Sequence, residues 1–208
     1  MQLLRFGIFF SIMLINIHLA AQKKIKTYPD KWTVHNRDVK FDEDTIMLSA
    51  AEGDGILWLN KSKFKNGIIE LDIKGENTPG RSFVGFAFHG VDNETFDAIY
   101  FRPFNFQNEQ RRGNSMQYIS LPEYEWSILR KNFPGKYENP VEPTPNPDDW
   151  FHAKIVVDYP SVKVYVDGST TPALEVEQIS EQQKGKIGLW VGNGSRGWFK
   201  NITVKKKR

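Results

Sequence analysis

The stretch Phe64-Lys65-Asn66-Gly67-Ile68-Ile69-Glu70-Leu71-Asp72-Ile73 decides how this chain folds. From Ile69 onward, apolar and charged side chains alternate: Ile69, Leu71 and Ile73 against Glu70, Asp72 and Lys74. A period of two sends successive side chains to opposite faces, so the segment reads as a half-buried strand with Glu70 and Asp72 turned away from the core. The same period returns in Val162, Val164 and Val166 against Lys163, Tyr165 and Asp167, and in Ile187, Leu189 and Val191 against Gly188 and Trp190. Further strands are predicted over 54–59, 82–89, 96–103, 115–120, 151–159, 173–176 and 198–205, which are rich in Val, Ile, Phe, Tyr and Trp and bounded by turn residues. Helical spacing is nearly absent; Glu123 to Lys131 could make a short helix or turn. Many short strands without alternating helices predict an all-β, antiparallel two-sheet sandwich.

The chain has 208 residues, 39% of them hydrophobic and 25% charged, which suits one folded domain. The absence of cysteine excludes a disulfide framework, a zinc finger, an iron–sulfur cluster and a thiol nucleophile. Beyond residue 21 the only histidines are His35, His89 and His152, without metal-binding spacing, so a transition-metal site is not expected. Net charge is +3, but Lys205, Lys206, Lys207 and Arg208 alone carry four positive charges, and Lys23, Lys24 and Lys26 carry three. The body between is slightly acidic. These end charges read as solvated groups that aid solubility, with a polyanion-binding tail as the alternative and no nucleic-acid partner expected.

Residues 1–21 stand apart. Arg5 precedes the apolar run Phe6 to Ile17, and Ala20-Ala21 follow, the pattern of a secretory signal peptide. The run falls short of the roughly 20 apolar residues that span a bilayer, so an uncleaved anchor is the lesser reading and no stable membrane anchor is expected. The remaining chain, 22–208, is then an exported domain, secreted or periplasmic. Export without disulfides points to a bacterial source. Pro134, Pro140, Pro143, Pro145 and Pro147 crowd one segment. It reads as a stiffened loop draped over one sheet, with an interdomain linker as the alternative.

The runs Asp149-Trp150-Phe151-His152-Ala153-Lys154-Ile155-Val156-Val157, Val162-Lys163-Val164-Tyr165-Val166-Asp167-Gly168 and Gly185-Lys186-Ile187-Gly188-Leu189-Trp190-Val191-Gly192 resemble the C-terminal half of concanavalin A-like lectin/glucanase domains. Laminin-G-like modules and bacterial domains related to 3-keto-disaccharide hydrolases share this pattern. The stretch from Phe64 to Ile73 is similar to an earlier strand of the family, and Gly197-Trp198-Phe199-Lys200-Asn201-Ile202 to its closing one. The resemblance implies a jelly roll with a concave sheet whose outward side chains meet saccharide.

Under that expectation, alternation turns His89, Tyr100, Arg102, Tyr118, Trp150 and His152 outward beside Glu70 and Asp72. Tyr100, Arg102, Tyr118, Trp150 and His152 are the expected sugar contacts, since sugars present hydroxyls to charged partners and C–H faces to rings. The leading expectation is a carbohydrate-binding domain. The alternatives are a glycoside or 3-keto-glycoside hydrolase using Glu70 or Asp72 with His89, and a protein-interaction module. Neighbouring carboxylates on one strand face lie about 6.8 Å apart, within the range of glycosidase pairs. The related glucanases carry Glu-x-Asp-x-Glu or Glu-x-Asp-x-x-Glu; here Glu76 arrives late, after Lys74 and Gly75. The resemblance also brings in calcium, for which Asp42, Glu43 and Asp44, or Asp148 and Asp149, would be the oxygen donors.

Overall fold

The computed structural model describes residues 22–207, so the predicted signal segment lies outside the described residues. In chain order the strands and helix are β1 (Lys23–Lys24), β2 (Trp32–His35), β3 (Val39–Asp42), β4 (Thr45–Leu48), β5 (Gly55–Leu59), β6 (Gly67–Lys74), β7 (Val84–Gly90), β8 (Phe96–Phe101), β9 (Met116–Leu121), α1 (Trp126–Asn132), β10 (Glu138–Asn139), β11 (Phe151–Asp158), β12 (Ser161–Val166), β13 (Leu174–Glu177), β14 (Lys186–Val191) and β15 (Gly197–Lys206). Each strand predicted by alternation is present, its ends shifted by two residues at most, and α1 occupies the one predicted helical stretch. Sequence reading missed β1 to β4 and β10. These have two to four residues each, too few to display a period.

The first sheet runs β13-β12-β11-β6-β15-β4-β3, with β1 beside β15, and the second runs β10-β9-β8-β7-β14-β5-β2. Every pairing is antiparallel. Ile69, Leu71 and Ile73 of β6 lie fully buried between the sheets, level with Ala153 and Ile155 of β11 and Phe199 of β15. Opposite them the second sheet presents Val84 and Phe86 of β7, Ile99 and Phe101 of β8, and Leu189 and Val191 of β14. The rings of Phe101 and Phe151 meet edge to face across the interface, with centroids 4.9 Å apart. Burial of each large aliphatic or aromatic side chain contributes about 1.5–3 kcal/mol, and this double row holds the sheets face to face.

The proline-rich segment is sewn to the second sheet. β10 pairs with β9 through Glu138 and Gln117, and Tyr137 and Val141 are buried. The strands that follow return to the first sheet, where β11 lies directly beside β6. The segment thus connects strands that pair within the two sheets of the sandwich.

Candidate functional site

The second sheet has two apolar faces, and its outer one builds the site. Tyr100 of β8 points outward opposite Gly85, and Trp190 of β14 flanks the same glycine from the other side. A Cβ on Gly85 would lie 2.1 Å from the Ile99 carbonyl oxygen and 2.6 Å from Tyr100 Cα, so only glycine lets these strands and rings close over β7. The Tyr100 and Trp190 centroids are accordingly 5.0 Å apart, and Phe83 meets Tyr100 edge-on at 6.1 Å.

Helix α1 forms one wall. A turn after β9 brings Tyr124 back to Ser120, and Leu129, fully buried, anchors the helix. The Arg130 guanidinium grips the Glu138 carboxylate of β10, with Nε donating at 2.9 and 3.1 Å and Nη2 at 2.5 Å. The same guanidinium lies 4.9 Å from the centroid of Trp126, bracing an indole that remains 46% exposed. The result is a cleft of about 300 Å³ between sheet and helix, with Trp190, Tyr100, Phe83 and Trp126 as its aromatic lining and Asp54, Glu125 and Asn193 as polar groups.

Two features of this cleft suit a polar ligand. The Trp190 indole N–H is buried and has no hydrogen-bond partner among the described residues, although it lies close enough to the Asp54 carboxyl to favour its charged form. Burial raises the Asp54 pKa above the ordinary carboxylate range, and the charge of Glu125 adds to the rise. Among the described residues neither carboxylate has a cation within salt-bridge reach, and Glu125 accepts a hydrogen bond from Ser127 Oγ.

The structure separates the predicted site residues into three places and corrects the expectation of one shared trough. Glu70, Asp72, Trp150 and His152 lie on the outer face of the first sheet. There His152 Nδ1 is 2.8 Å from Asp72 Oδ1, its Nε2 is 3.7 Å from Glu70 Oε1, and Lys200 Nζ sits 4.3 Å from the Trp150 ring centroid. His89 and Tyr118 are sealed between the sheets at 0% exposure. They therefore cannot meet a sugar as drawn, and His89 is divided by the core from Glu70 and Asp72. Two causes defeat the alternation rule. His89 has φ of 51°, which turns it out of register with the strand, and in β9 Ile119 takes the outer face while Tyr118 faces inward opposite Ile99.

His89 and Tyr118 belong to a buried network. His89 Nε2 donates to the Lys65 carbonyl at 2.6 Å, and its Nδ1 accepts from Gln178 at 3.1 Å. Asp97 accepts from Tyr118 Oη at 2.6 Å and from Ser180 Oγ at 2.7 Å. Burial lowers the His89 pKa and raises that of Asp97, so the imidazole is held neutral.

Tyr100 and Arg102 remain on the outer face of the second sheet. Tyr100 lines the cleft, its phenol pushed up to about 12 by burial. Arg102 is 5% exposed behind it, donating to Tyr100 Oη and, at 2.8 Å, to the Asn114 carbonyl, with its guanidinium 4.7 Å from the Tyr100 ring centroid. Arg102 thus braces the ring and does not itself line the cleft.

Asp54, Phe83, Glu125, Trp126 and Trp190 went unrecognised in the sequence. Alternation with Leu189 and Val191 already turns Trp190 outward, but nothing local marks Asp54. Of the acidic residues considered for calcium, Asp42 ends β3 and pairs with Lys40 at 3.6 Å, and Glu43 and Asp44 form the turn to β4. Among the described residues no group of three or more His, Asp or Glu side chains could hold a metal ion.

Solved structures share this architecture. Carbohydrate-binding module CBM66 from Bacillus subtilis superposes with a TM-score of 0.63 at 15% identity, over 85% of this chain and 96% of that one. The β-glucanase of Bacillus licheniformis gives 0.59 at 16% identity, over 91% and 98%. The exoplasmic/lumenal domain of VIP36, in its Ca2+/Man3GlcNAc-bound form, gives 0.61 at 10% identity, over 90% and 88%. The fold is the concanavalin A-like jelly-roll sandwich. Residues 25–205 match the family described as the 3-keto-alpha-glucoside-1,2-lyase-like domain, and the chain belongs to that family. Membership makes it a sugar-related domain. No curated protein matches the sequence.

Proposed function

We propose that the cleft between α1 and the second sheet binds saccharide, and that the domain is a carbohydrate-binding one. The observation that carries the reading is the pairing of an aromatic lining with polar groups at the cleft: the buried Trp190 N–H, and the carboxylates of Asp54 and Glu125, which no cation pairs among the described residues. Sugar hydroxyls donate to carboxylates and accept from an indole N–H, while the C–H face of the ring covers the exposed Trp126 indole. Calorimetric titration of the chain with glucose, trehalose and maltotriose tests this. Trp126→Ala and Asp54→Asn should each weaken binding about tenfold or more, and failure of every one of these sugars to bind would refute the reading.

The carboxylate pair supports a second, enzymatic reading in line with the family's description. In a 3-keto-glucoside the C2 hydrogen is acidified by the neighbouring carbonyl. A base removes that proton, the C1–C2 double bond forms as the C1–O bond breaks, and the departing oxygen takes a proton from an acid. Asp54, its pKa raised by burial, suits the acid, and Glu125 the base. Incubation with 3-ketotrehalose should then produce an ultraviolet-absorbing enone, and Asp54→Asn should abolish it.

The same proposal places the domain outside the cytoplasm, motivated by Arg5, the apolar run Phe6 to Ile17 and Ala20-Ala21. N-terminal sequencing of the exported protein should begin at Gln22. Retention of residues 1–21 would contradict it.

A further inference from the structure

We propose that the lysine-rich end of the sandwich docks on an anionic lipid bilayer. The basic residues at the two ends of the chain, nearly its whole length apart in sequence, are neighbours in the fold. β1 pairs with the end of β15, setting Lys23 and Lys24 against Val204 and Thr203, next to Lys205 and Lys206. Lys205 and Lys206 pair in turn with Ile68 and Gly67 at the start of β6, and the Lys207 amide donates to the Asn66 carbonyl at 2.8 Å.

That contact brings in the connection before β6, which carries Lys61, Lys63 and Lys65, all exposed. Two further bonds extend the surface to Lys184 and Lys186: Phe64 and Gly185 exchange backbone hydrogen bonds at 2.9 Å, and the Ile187 amide donates to Ser62 Oγ at 3.2 Å. Four chain segments thus converge at one pole. The carboxylates beside these segments, Asp30, Glu70, Asp92, Glu94, Asp158, Glu177 and Glu181, are fewer than the lysines, and Asp158 is already paired with Lys207 at 2.7 Å and Asp30 with Lys31 at 2.6 Å.

The cleft opens on the outer face of the second sheet and runs from the strand ends remote from this pole to Leu121, which pairs with Phe96 at the start of β8. The cleft is lined by Asp54 before β5, Phe83 before β7 and Asn193 after β14, whereas the lysines lie where β5 and β7 end and β14 begins.

Three observations favour a lipid surface over other polyanions. The apolar run Phe6 to Ile17 joins the described domain at Gln22, beside Lys23 and Lys24, so a bilayer holding that run at any stage of export adjoins this pole. The turn after β7 exposes Val91 to 47% among these charges, an apolar tip suited to an interface. The ring under Lys186 is Trp58, 5.8 Å from its Nζ and only 4% exposed, so it offers no open stacking platform to nucleic-acid bases. Each lysine near an anionic leaflet adds an attraction that salt screens.

The chain from Gln22 onward contains both sheets and the whole core, and it can be sedimented with vesicles of equal parts phosphatidylglycerol and phosphatidylcholine, and with phosphatidylcholine alone. Binding to the anionic vesicles at low salt, lost at high salt and absent from the neutral ones, is the expected result. Reversal of Lys24, Lys65, Lys186 and Lys206 to Glu should weaken it about 100-fold or more. Replacing the same four by Gln, a milder change should the reversed protein fail to fold, should weaken it about tenfold. Lack of binding to anionic vesicles, binding indifferent to both variants, or tighter binding to duplex DNA or heparin at the same salt would overturn the proposal. Saccharide titration of the Gln variant reports on the cleft separately, so either reading can fail without the other.

Discussion

Arg130→Met tests whether the wall of the cleft stands on one ion pair. Glu138 is 6% exposed and Arg130 holds both of its oxygens, so removal of the guanidinium leaves a carboxylate buried against the sheet without its partner. Stranding a fully buried charge costs about 3–5 kcal/mol. The Arg130 side chain is 37% exposed, so water reaches the pair and the cost falls to about 2–3 kcal/mol. For a domain of this size that corresponds to a fall in Tm of about 4–12 °C. Urea denaturation read by tryptophan fluorescence supplies the free energy. Arg130→Met with Glu138→Gln should recover part of the loss, because the stranded charge is gone. A single-variant cost below about 0.5 kcal/mol, or a double variant no more stable than the single, would refute the reasoning. Trp126 should also lose its brace, so saccharide affinity should fall in the single variant even where the fold is fully populated.

Other outcomes follow from the same structure. Asp54 has its pKa raised by burial, so it favours the folded state below the ordinary carboxylate range and that contribution is lost as pH rises through the folded value. Asp54→Asn should therefore match the parent in Tm in acid and exceed it at neutral pH while binding sugar less well, a difference that thermal melts across pH would reveal. His89 has its pKa lowered by burial, so its contribution is present above the unfolded value of 6.5 and is lost as pH falls below it. His89→Gln should flatten the acid limb of the stability profile below about pH 6.5; an unchanged slope would contradict the neutral assignment. Phe101→Ala opens a cavity against Phe151 and should cost about 3–5 kcal/mol by denaturant titration, with no change in which sugars bind.

The legibility of the site differed from residue to residue for physical reasons. Alternation correctly turned Tyr100, Glu70, Asp72 and His152 away from the core, because each lies in a regular extended strand. It failed at His89, where a left-handed backbone conformation breaks the period, and at Tyr118, whose strand is buried on both faces. The same rule cannot say which outward faces coincide. Glu70 and Tyr100 both point outward, on opposite sides of a shared core.

Alternating side chains along β6, β12 and β14 sufficed to establish strands, and their number and spacing sufficed to establish a two-sheet sandwich, because burial of one face is a local demand written every second residue. Which polar residues share a cleft was decided by strand order. Asp54, Phe83, Tyr100, Trp126 and Trp190 meet because β14 and β8 flank β7 and a short helix folds over β9. The convergence of the terminal lysines has the same origin: backbone pairing between β1 and β15 joins segments that no sequence window spans, and charges separated along the chain become one surface.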